Sequence, residues 1–376
     1  MTKPLHADPE GRWPAERAAA WRAGHPWRVG FNYLPSNAVN FLEMWRGETF
    51  DAPTIERELG WGAGIGFNAV RTNLHYLAWR FERDGLLARI DTLLGLAARC
   101  GMGVMLCLFD DCEFSGEAPF WGAQPSPKPG VHNSRALGSP GRALVGDRAE
   151  WPRFEAYVRD IVGAFARDPR VAVWDLYNEP GNRMIFDVGH QREHDPALER
   201  DSAALMRASF AWARAMDPDQ PLTVAPWRLN PLTGEGHPSY WHAIDQDALA
   251  LSDVTSFHAY CTLDRMRMVV DELEQFGRPL MCTEWMARGV GSRIADQLPF
   301  FRDHGVSAYQ WGLVRGRTQT HLPWPGVEVA HAATAEEWFH DLLTEDGEPH
   351  APTELALIGA LRAAGVPPQP GVAAAS

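Results

Sequence analysis

Short apolar runs alternate with longer amphipathic stretches along most of the chain. Eight runs rich in β-branched or aromatic residues alternate with helical patterns, which is typical of βα units around a parallel sheet. The runs cover Arg28–Pro35, Phe67–Leu74, Gly103–Asp110, Val171–Glu179, Pro221–Trp227, Val254–Tyr260, Pro279–Trp285 and Val306–Val314. This count predicts an α/β protein with a single (β/α)8 TIM barrel; a doubly wound sheet is the alternative.

Glycines mark the ends of the predicted helices. After Asp84 the apolar positions from Leu86 to Ala97 fall on one helical face, and Gly101 follows as a helix-ending residue. Gly305 has the same place before the eighth run. The glycines between 60 and 66 precede a strand instead of following one, so they indicate a helix end and not the phosphate-binding loop of a doubly wound sheet.

One barrel accounts for most of the chain. We expect an N-terminal extension over 1–23, a catalytic barrel over 24–364 and a flexible C-terminal tail over 365–376. Two connections are long and rich in Pro and Gly, one after the third strand and one after the eighth. Long loops in compact domains are usually lids or mobile segments, and Trp121 and Gln319 are candidate substrate contacts on these two.

Composition and charge narrow the function classes. The 376 residues carry 48 acidic and 35 basic side chains, a net charge of -13, which speaks against a nucleic-acid partner. The five Cys show neither the pairing of a disulfide framework nor zinc spacing, so we expect no metal and no cofactor. The N-terminal sequence has no apolar run of signal-peptide or membrane-span length, so we expect a cytoplasmic protein without a membrane partner.

Two carboxylates stand where a barrel places its chemistry, at the carboxyl ends of strands. WDLYNEP brings Glu179 to the end of the fourth strand, and LMCTEW brings Glu284 to the end of the seventh, across the mouth. Retaining glycoside hydrolysis uses two carboxyls about 5–5.5 Å apart. The charge of Glu284 should raise the pKa of Glu179 and keep it protonated. A metal-dependent barrel hydrolase would want His-x-His on the first strand, which reads VGFNYLP.

The chain resembles the clan A glycoside hydrolases, most closely family 5, the cellulase-like (β/α)8 enzymes. The resemblance spans Arg28 to Val314 and implies an acid/base Glu179 after an Asn and a nucleophile Glu284. It further extends, in strand order, to Arg71 in NAVRTNL, Asn178 in YNEP, His258 and Tyr260 in SFHAY, and Trp311 in YQWGL.

The resemblance also gives the residues beside the two carboxyls their expected roles. Arg71 and Tyr260 should hydrogen-bond Glu284 and hold it ionised and aimed. His258 should lie near Glu179 and tune its proton affinity. Arg71 and His258 each have a purely structural alternative, a buried ion pair for Arg71 and a core histidine for His258.

Other strand-end residues are candidates for contact with sugar. Asn178 should donate to the substrate 2-hydroxyl, and Trp311 should form the floor beneath the cleaved sugar. Family 5 usually has a His at the end of the third strand, where this chain has Asp110 and Asp111; an acidic pair there could bind sugar hydroxyls. Trp285, beside the predicted nucleophile, is a further candidate.

The composition is also unusual in its 16 Trp, the side chain best suited to stacking on sugar rings. Five of them fall at strand ends or on the long loops: Trp121, Trp227, Trp285, Trp311 and Trp324. The sequence therefore predicts a retaining β-glycosidase that cleaves oligosaccharides by double displacement, with a pocket that favours exo action. A transglycosylase and a catalytically inactive carbohydrate-binding barrel are the alternatives.

Overall fold

A computed structural model describes residues 11–230 and 238–365, and it contains eight parallel strands arranged as a barrel. The sheet order is β5-β4-β3-β2-β1-β8-β7-β6, so the predicted α/β barrel is confirmed and the doubly wound sheet is wrong. The strands are β1 Val29–Asn32, β2 Ala69–Asn73, β3 Gly103–Asp110, β4 Val171–Asn178, β5 Leu222–Thr223, β6 Thr255–His258, β7 Leu280–Trp285 and β8 Ser307–Trp311.

Individual backbone hydrogen bonds close the ring between β5 and β6, which share no ladder. The amide of Asp253 donates to the carbonyl of Leu222 at 2.8 Å, and the amide of His258 donates to that of Pro226 at 3.0 Å. The short β5 therefore still positions the chain that follows it against the end of β6.

Eleven α-helices and one 3-10 turn occur among the described residues. The helices are α1 Ala15–Ala23, α2 Phe41–Trp45, α3 Ala52–Ile65, α4 Tyr76–Arg99, α5 Arg142–Gly146, α6 Trp151–Phe165, α7 Leu198–Arg214, α8 Ala243–Leu251, α9 Leu263–Glu274, α10 Ile294–Asp303 and α11 Pro352–Ala364; the 3-10 turn is Arg288–Val290. None of these helices is both long and apolar enough to cross a membrane.

The predicted carboxyl-terminal ends of the helices agree with the structure, although α4 begins at Tyr76, before the predicted stretch after Asp84. The stripe from Leu86 to Ala97 is buried along α4. Gly66 ends α3 with a φ of 116°, a left-handed conformation that glycine adopts without a Cβ penalty. Gly305 follows α10 with a φ of 66°.

The structure contains two elements that the sequence pattern did not predict, a helix near the N-terminus and a hairpin after β4. Helix α1 lies within the segment expected to be an N-terminal extension. The first ten residues, and the expected tail beyond 365, lie outside the described residues. A hairpin of Met184–Asp187 and His190–Glu193 follows β4, and the sequence pattern did not predict it.

The barrel interior changes character along its axis. Near the amino ends of the strands it is filled by a small apolar cluster that includes Ala69, Met105, Val173 and Met281. Side chains alternate along a strand, so Arg71 points the same way as Ala69, one layer closer to the mouth. Polar side chains are therefore concentrated at the carboxyl end, above an apolar base.

Candidate active site

Glu179 and Glu284 meet at the barrel mouth. One oxygen of each carboxyl and a ring nitrogen of His258 all lie within 4.8 Å of one another. Glu179 is 8% exposed and Glu284 is 5% exposed. These three atoms lie close enough together to bind a divalent cation. The guanidinium of Arg71, however, already contacts one oxygen of Glu284 and supplies positive charge there.

Glu179 immediately follows β4, with a left-handed φ of 44° that turns the chain. Its Oε1 lies 2.9 Å from Nδ1 of His258, and its Oε2 accepts from Nδ2 of Asn182 at 2.7 Å and from the thiol of Cys112 at 3.2 Å. Burial raises the pKa of Glu179, an effect that these hydrogen bonds partly offset. Desolvation is thus the main cause, whereas the sequence argument had assigned it to the charge of Glu284.

Glu284 has the surroundings of an ionised carboxylate. Its Oε1 accepts from Nη1 of Arg71 at 2.9 Å, and its Oε2 accepts from the hydroxyl of Tyr260 at 3.0 Å. Burial raises the pKa of Glu284 and the charge of Glu179 adds to this, while His258, Arg71 and Tyr260 act against it. Of the two carboxyls, only Glu284 bonds to the guanidinium, so its ionised form has a positively charged partner that Glu179 lacks.

Arg71 links the two sides of the site from the end of β2. Its fully buried guanidinium donates to Asp175 at 2.7 Å, to Asn32 at 2.6 Å, to Asn178 at 2.7 Å and to Glu284 at 2.9 Å. Burial alone would lower the pKa of Arg71, but the carboxylates of Asp175 and Glu284 outweigh it and raise that pKa. The ion pair is therefore both structural and part of the site.

Asn178 and Asp110 form the wall between β3 and β4. Nδ2 of Asn178 donates to Asp110 at 2.9 Å and lies 3.4 Å from the sulfur of Cys112, while its Oδ1 accepts from Arg71. Asp110 also accepts from Asn73 at 2.9 Å, and burial raises its pKa. Of the acidic pair after β3, Asp110 is the member that lines the cavity.

Asp111 faces away from the cavity, contrary to the expectation that both members of the pair meet sugar. Its carboxylate is fully buried and accepts from Tyr177 at 2.8 Å, Gly181 at 2.6 Å and Ser202 at 2.5 Å. Burial raises the pKa of Asp111 to about 6. Asp111 therefore anchors the turn that follows Glu179.

His258 contacts both carboxyls from the end of β6. Its Nδ1 lies 2.9 Å from Glu179 and 3.6 Å from Glu284. Burial lowers the pKa of His258 to about 4, so the ring is neutral at physiological pH. Among the described residues nothing pairs with its buried Nε2, which leaves Nδ1 free to donate or to accept according to the tautomer.

A cavity of about 570 Å³ opens over these groups. Trp311, the predicted sugar-facing residue of β8, lines it, as do Trp227 and Trp324. Arg71 lies beneath the lining, and its guanidinium reaches the cavity through Glu284 and Asn178. The described lining also includes Asn32, Tyr33, Asn40, Cys112, Phe114, His132, Asn133, Asn178, Met184, Phe186, Tyr260, Leu229, His340 and Asp341.

Two of the tryptophans expected to face sugar do not line this cavity. Trp285 is 1% exposed and packs edge-on against Phe301 of α10 at 5.1 Å, because alternation along β7 turns Glu284 inward and Trp285 outward. Trp121 stacks on Phe81 of α4 at 5.1 Å. Both are packing residues in this structure.

Gln319 joins the two long loops instead of touching the cavity. Its Nε2 donates to the carbonyl of Lys128 at 2.8 Å, and its Oε1 accepts from the amide of Gly130 at 2.9 Å. Next to it, the amide of Asn133 donates to the carbonyl of Thr318 at 2.7 Å. We call these contacts between 128–133 and 318–322 the clasp. Within the clasp, His132, Asn133 and Thr318 also line the cavity.

Several lining residues were missed because they come from irregular segments. The hairpin contributes Met184 and Phe186, and the long connection after β8 contributes His340 and Asp341. Cys112 was also missed, although its place directly after the acidic pair of β3 marks it as a neighbour of the site. No local pattern signals the others.

Comparisons with known proteins agree on the fold. No protein-family model and no curated protein matches the sequence. The chain is similar to GH5_18 from Streptomyces cattleya in complex with Manβ1-4GlcNAc, with 18% identity, a TM-score of 0.60 and coverage of 90% of this chain and 80% of that one. It is similar to the endo-β-1,4-mannanase from Thermotoga petrophila, with 12% identity, a TM-score of 0.56 and coverage of 91% and 77%. It is also similar to the exo-β-1,4-mannosidase Op5Man5 from Opitutaceae bacterium strain TAV5, with 18% identity, a TM-score of 0.55 and coverage of 96% of this chain and 62% of that one.

Proposed function

We propose that this protein is a retaining β-glycosidase of the kind found in glycoside hydrolase family 5. The observation that carries the proposal is the approach of Glu179 and Glu284, whose nearest oxygens lie within 4.8 Å. Retaining enzymes hold their carboxyls about 5–5.5 Å apart, whereas inverting enzymes need about 6.5–9.5 Å to admit a water. An approach within 4.8 Å is shorter than the separation that inverting enzymes need and favours direct attack by Glu284.

Each carboxyl has the surroundings that its proposed step requires. Protonated Glu179 gives its proton to the leaving oxygen as the glycosidic bond breaks, and Glu284 attacks the anomeric carbon to form a glycosyl-enzyme. Glu179, now ionised, takes a proton from a water that displaces Glu284 and restores both carboxyls. Arg71 and Tyr260 stabilise Glu284 when it is ionised, at the start and the end of the cycle.

The clasp supports action on the ends of short chains. It joins 128–133 to 318–322 by several hydrogen bonds, so one side of the mouth is closed to a continuous polymer. A cavity of about 570 Å³ holds a short glycoside and not a long chain. The similar structures act on or bind β-mannosides according to their descriptions, which makes β-mannosides the first glycone to test.

The test is a panel of aryl β-glycosides on wild type, Glu179→Ala and Glu284→Ala, with Glu345→Ala as an exposed control. We expect both active-site variants to lose at least about 10³-fold in kcat/KM and the control to match wild type. Azide should rescue Glu284→Ala to give an α-glycosyl azide and Glu179→Ala to give a β-glycosyl azide. Wild-type rates in Glu284→Ala, or an α-configured first product from the wild type, would refute the retaining assignment.

Exo action is tested separately on mannan. We expect release of monosaccharide without an early fall in viscosity, because the clasp excludes binding in the middle of the chain. A rapid fall in viscosity would contradict exo action and leave the catalytic assignment intact. Added alcohol acceptors then distinguish hydrolysis from transglycosylation by the ratio of transfer product to free sugar.

A further inference from the structure

The leaving group of the proposed reaction has a definable wall. Because Glu179 protonates the leaving oxygen, the aglycone has to lie against the residues that surround the end of β4. Asn182 bonds Glu179 and also accepts from the amide of Met184 at 2.8 Å, where the hairpin begins. On the other flank the indole nitrogen of Trp227 donates to the carbonyl of Pro180 at 3.1 Å. The hairpin and the segment after β5 thus form the leaving-group side of the cavity.

This wall is built from apolar side chains. Phe186 of the hairpin stacks on Phe114, with ring centroids 4.2 Å apart and planes 12° apart, and its amide donates to the carbonyl of Phe114 at 2.8 Å. Phe186 is 1% exposed, so its ring is fixed. Met184, Trp227 and Leu229 complete the wall. We call these five residues the apolar wall.

Most polar groups near the apolar wall already have hydrogen-bond or ion-pair partners. Both ends of the Asn182 amide are hydrogen-bonded, and so is the indole nitrogen of Trp227. Arg228 and Glu193 also line the cavity, and each is in an ion pair with a neighbouring side chain, although the buried Nε of Arg228 has no hydrogen-bond partner among the described residues. Gln191 lies on the exposed strand of the hairpin, at the rim. Against the side chains of Phe114, Met184 and Leu229 a sugar hydroxyl would meet neither a donor nor an acceptor, and each hydroxyl buried without a partner costs about 1–3 kcal/mol.

We propose that the apolar wall is an aglycone site for a flat apolar group, so that the enzyme acts on aryl or alkyl β-glycosides in preference to disaccharides. The proposal rests on the proposed function, since it takes Glu179 to be the acid. It specifies the aglycone, the half of the substrate whose identity the two catalytic carboxyls do not determine. Apolar area gained against fixed aromatic rings favours binding without any hydroxyl recognition.

The test compares three glycosides that share one glycone: benzyl, methyl and the β-1,4-linked disaccharide. Their leaving groups are all alcohols, which removes the bias of a reactive phenol. We expect kcat/KM for the benzyl glycoside to exceed that for the disaccharide at least tenfold, mainly through KM. Phe186→Ala should lower the benzyl-to-methyl ratio about tenfold, whereas Val188→Ala, at the exposed tip of the same hairpin, should keep the wild-type ratio.

A binding measurement secures the result if Phe186→Ala fails to fold. Calorimetry on the wild type with S-benzyl and S-linked disaccharide thioglycosides should give a Kd at least tenfold lower for the benzyl compound. A disaccharide that is bound or cleaved better than the benzyl glycoside would overturn the proposal. That result differs from failure of the proposed function, in which the wild type cleaves no member of the series.

Discussion

Asp111 gives a direct test of how the turn after Glu179 is held. Its carboxylate accepts hydrogen bonds from Tyr177, Gly181 and Ser202 inside the protein. Asp111→Ala removes every acceptor. Asp111→Asn keeps one oxygen, which can still accept from Gly181 and Ser202 while the new amide group faces the rotatable hydroxyl of Tyr177. The structure therefore predicts a graded series, with Ala worse than Asn.

The size of the effect follows from the donors left unpaired. The backbone N–H of Gly181 cannot turn away, and each buried unpaired donor costs about 1–3 kcal/mol. With partial relaxation of the two hydroxyls, Asp111→Ala should lower the free energy of unfolding by about 3–5 kcal/mol and Asp111→Asn by about 1–2 kcal/mol. The entropy of unfolding for a chain of this length converts these values to roughly 3–6 °C and 1–2 °C in Tm.

The assay is thermal unfolding by circular dichroism, together with kcat and KM on the best aryl glycoside. Asp84→Ala serves as the control because its side chain is 90% exposed. We expect the Tm to fall in the order given, with kcat falling as the turn loosens and KM little changed. If Tm stays within about 1 °C of wild type while KM rises, Asp111 binds substrate, as the sequence pattern suggested, and the structural argument is wrong.

Three further predictions concern the site and its loops. Tyr260→Phe removes a donor that lowers the pKa of Glu284, so the acid limb of kcat/KM should move to higher pH and kcat should fall about tenfold; an unmoved limb would count against the contact. Cys112→Ala removes a donor that lowers the pKa of Glu179, so the alkaline limb should also move to higher pH, while a shift to lower pH would contradict the geometry. Gln319→Ala opens the clasp, which should raise KM a few-fold with kcat nearly kept and increase proteolysis within 128–133; resistance equal to wild type would show that the clasp closes without Gln319.

The sequence predicted the barrel and its strand-end residues because the alternation of strands and helices implies parallel strands. All parallel strands of a barrel have their carboxyl ends at the same mouth. Once β4 and β7 are placed, Asn178, Glu179 and Glu284 can only lie at the mouth. The same alternation explains two of the errors. The residue next to an inward-facing one faces outward. Trp285, which follows the inward-facing Glu284, therefore packs against α10, and Asp111, which follows Asp110, bonds to the turn after Glu179.

The cavity walls depend on contacts that no local pattern records. His340 and Asp341 belong to an irregular connection, and their backbone carbonyls accept from the buried guanidinium of Arg288, which is paired with Glu354 of α11. The partners of this network are far apart in sequence. Hydrophobic periodicity carries no information about such distant polar pairs, so the segment could be recognised as long but not placed.

Hydrogen-bond complementarity decides which carboxyl is suited to carry the proton. Oε1 of Glu284 faces the guanidinium of Arg71, which cannot accept a hydrogen bond, and Oε2 faces the hydroxyl of Tyr260, which accepts one only if it gives up its own donation to Glu284. Oε1 of Glu179 faces a neutral His258 instead, and the Nδ1 of that ring accepts a hydrogen bond whenever its own proton is on Nε2. A protonated Glu179 is therefore compatible with all its neighbours as they stand, whereas a protonated Glu284 would require Tyr260 to turn its hydroxyl hydrogen away. In the proposed reaction Glu179 loses its proton when the glycosidic bond breaks, and the ionised carboxylate would still have Asn182 and Cys112 as donors.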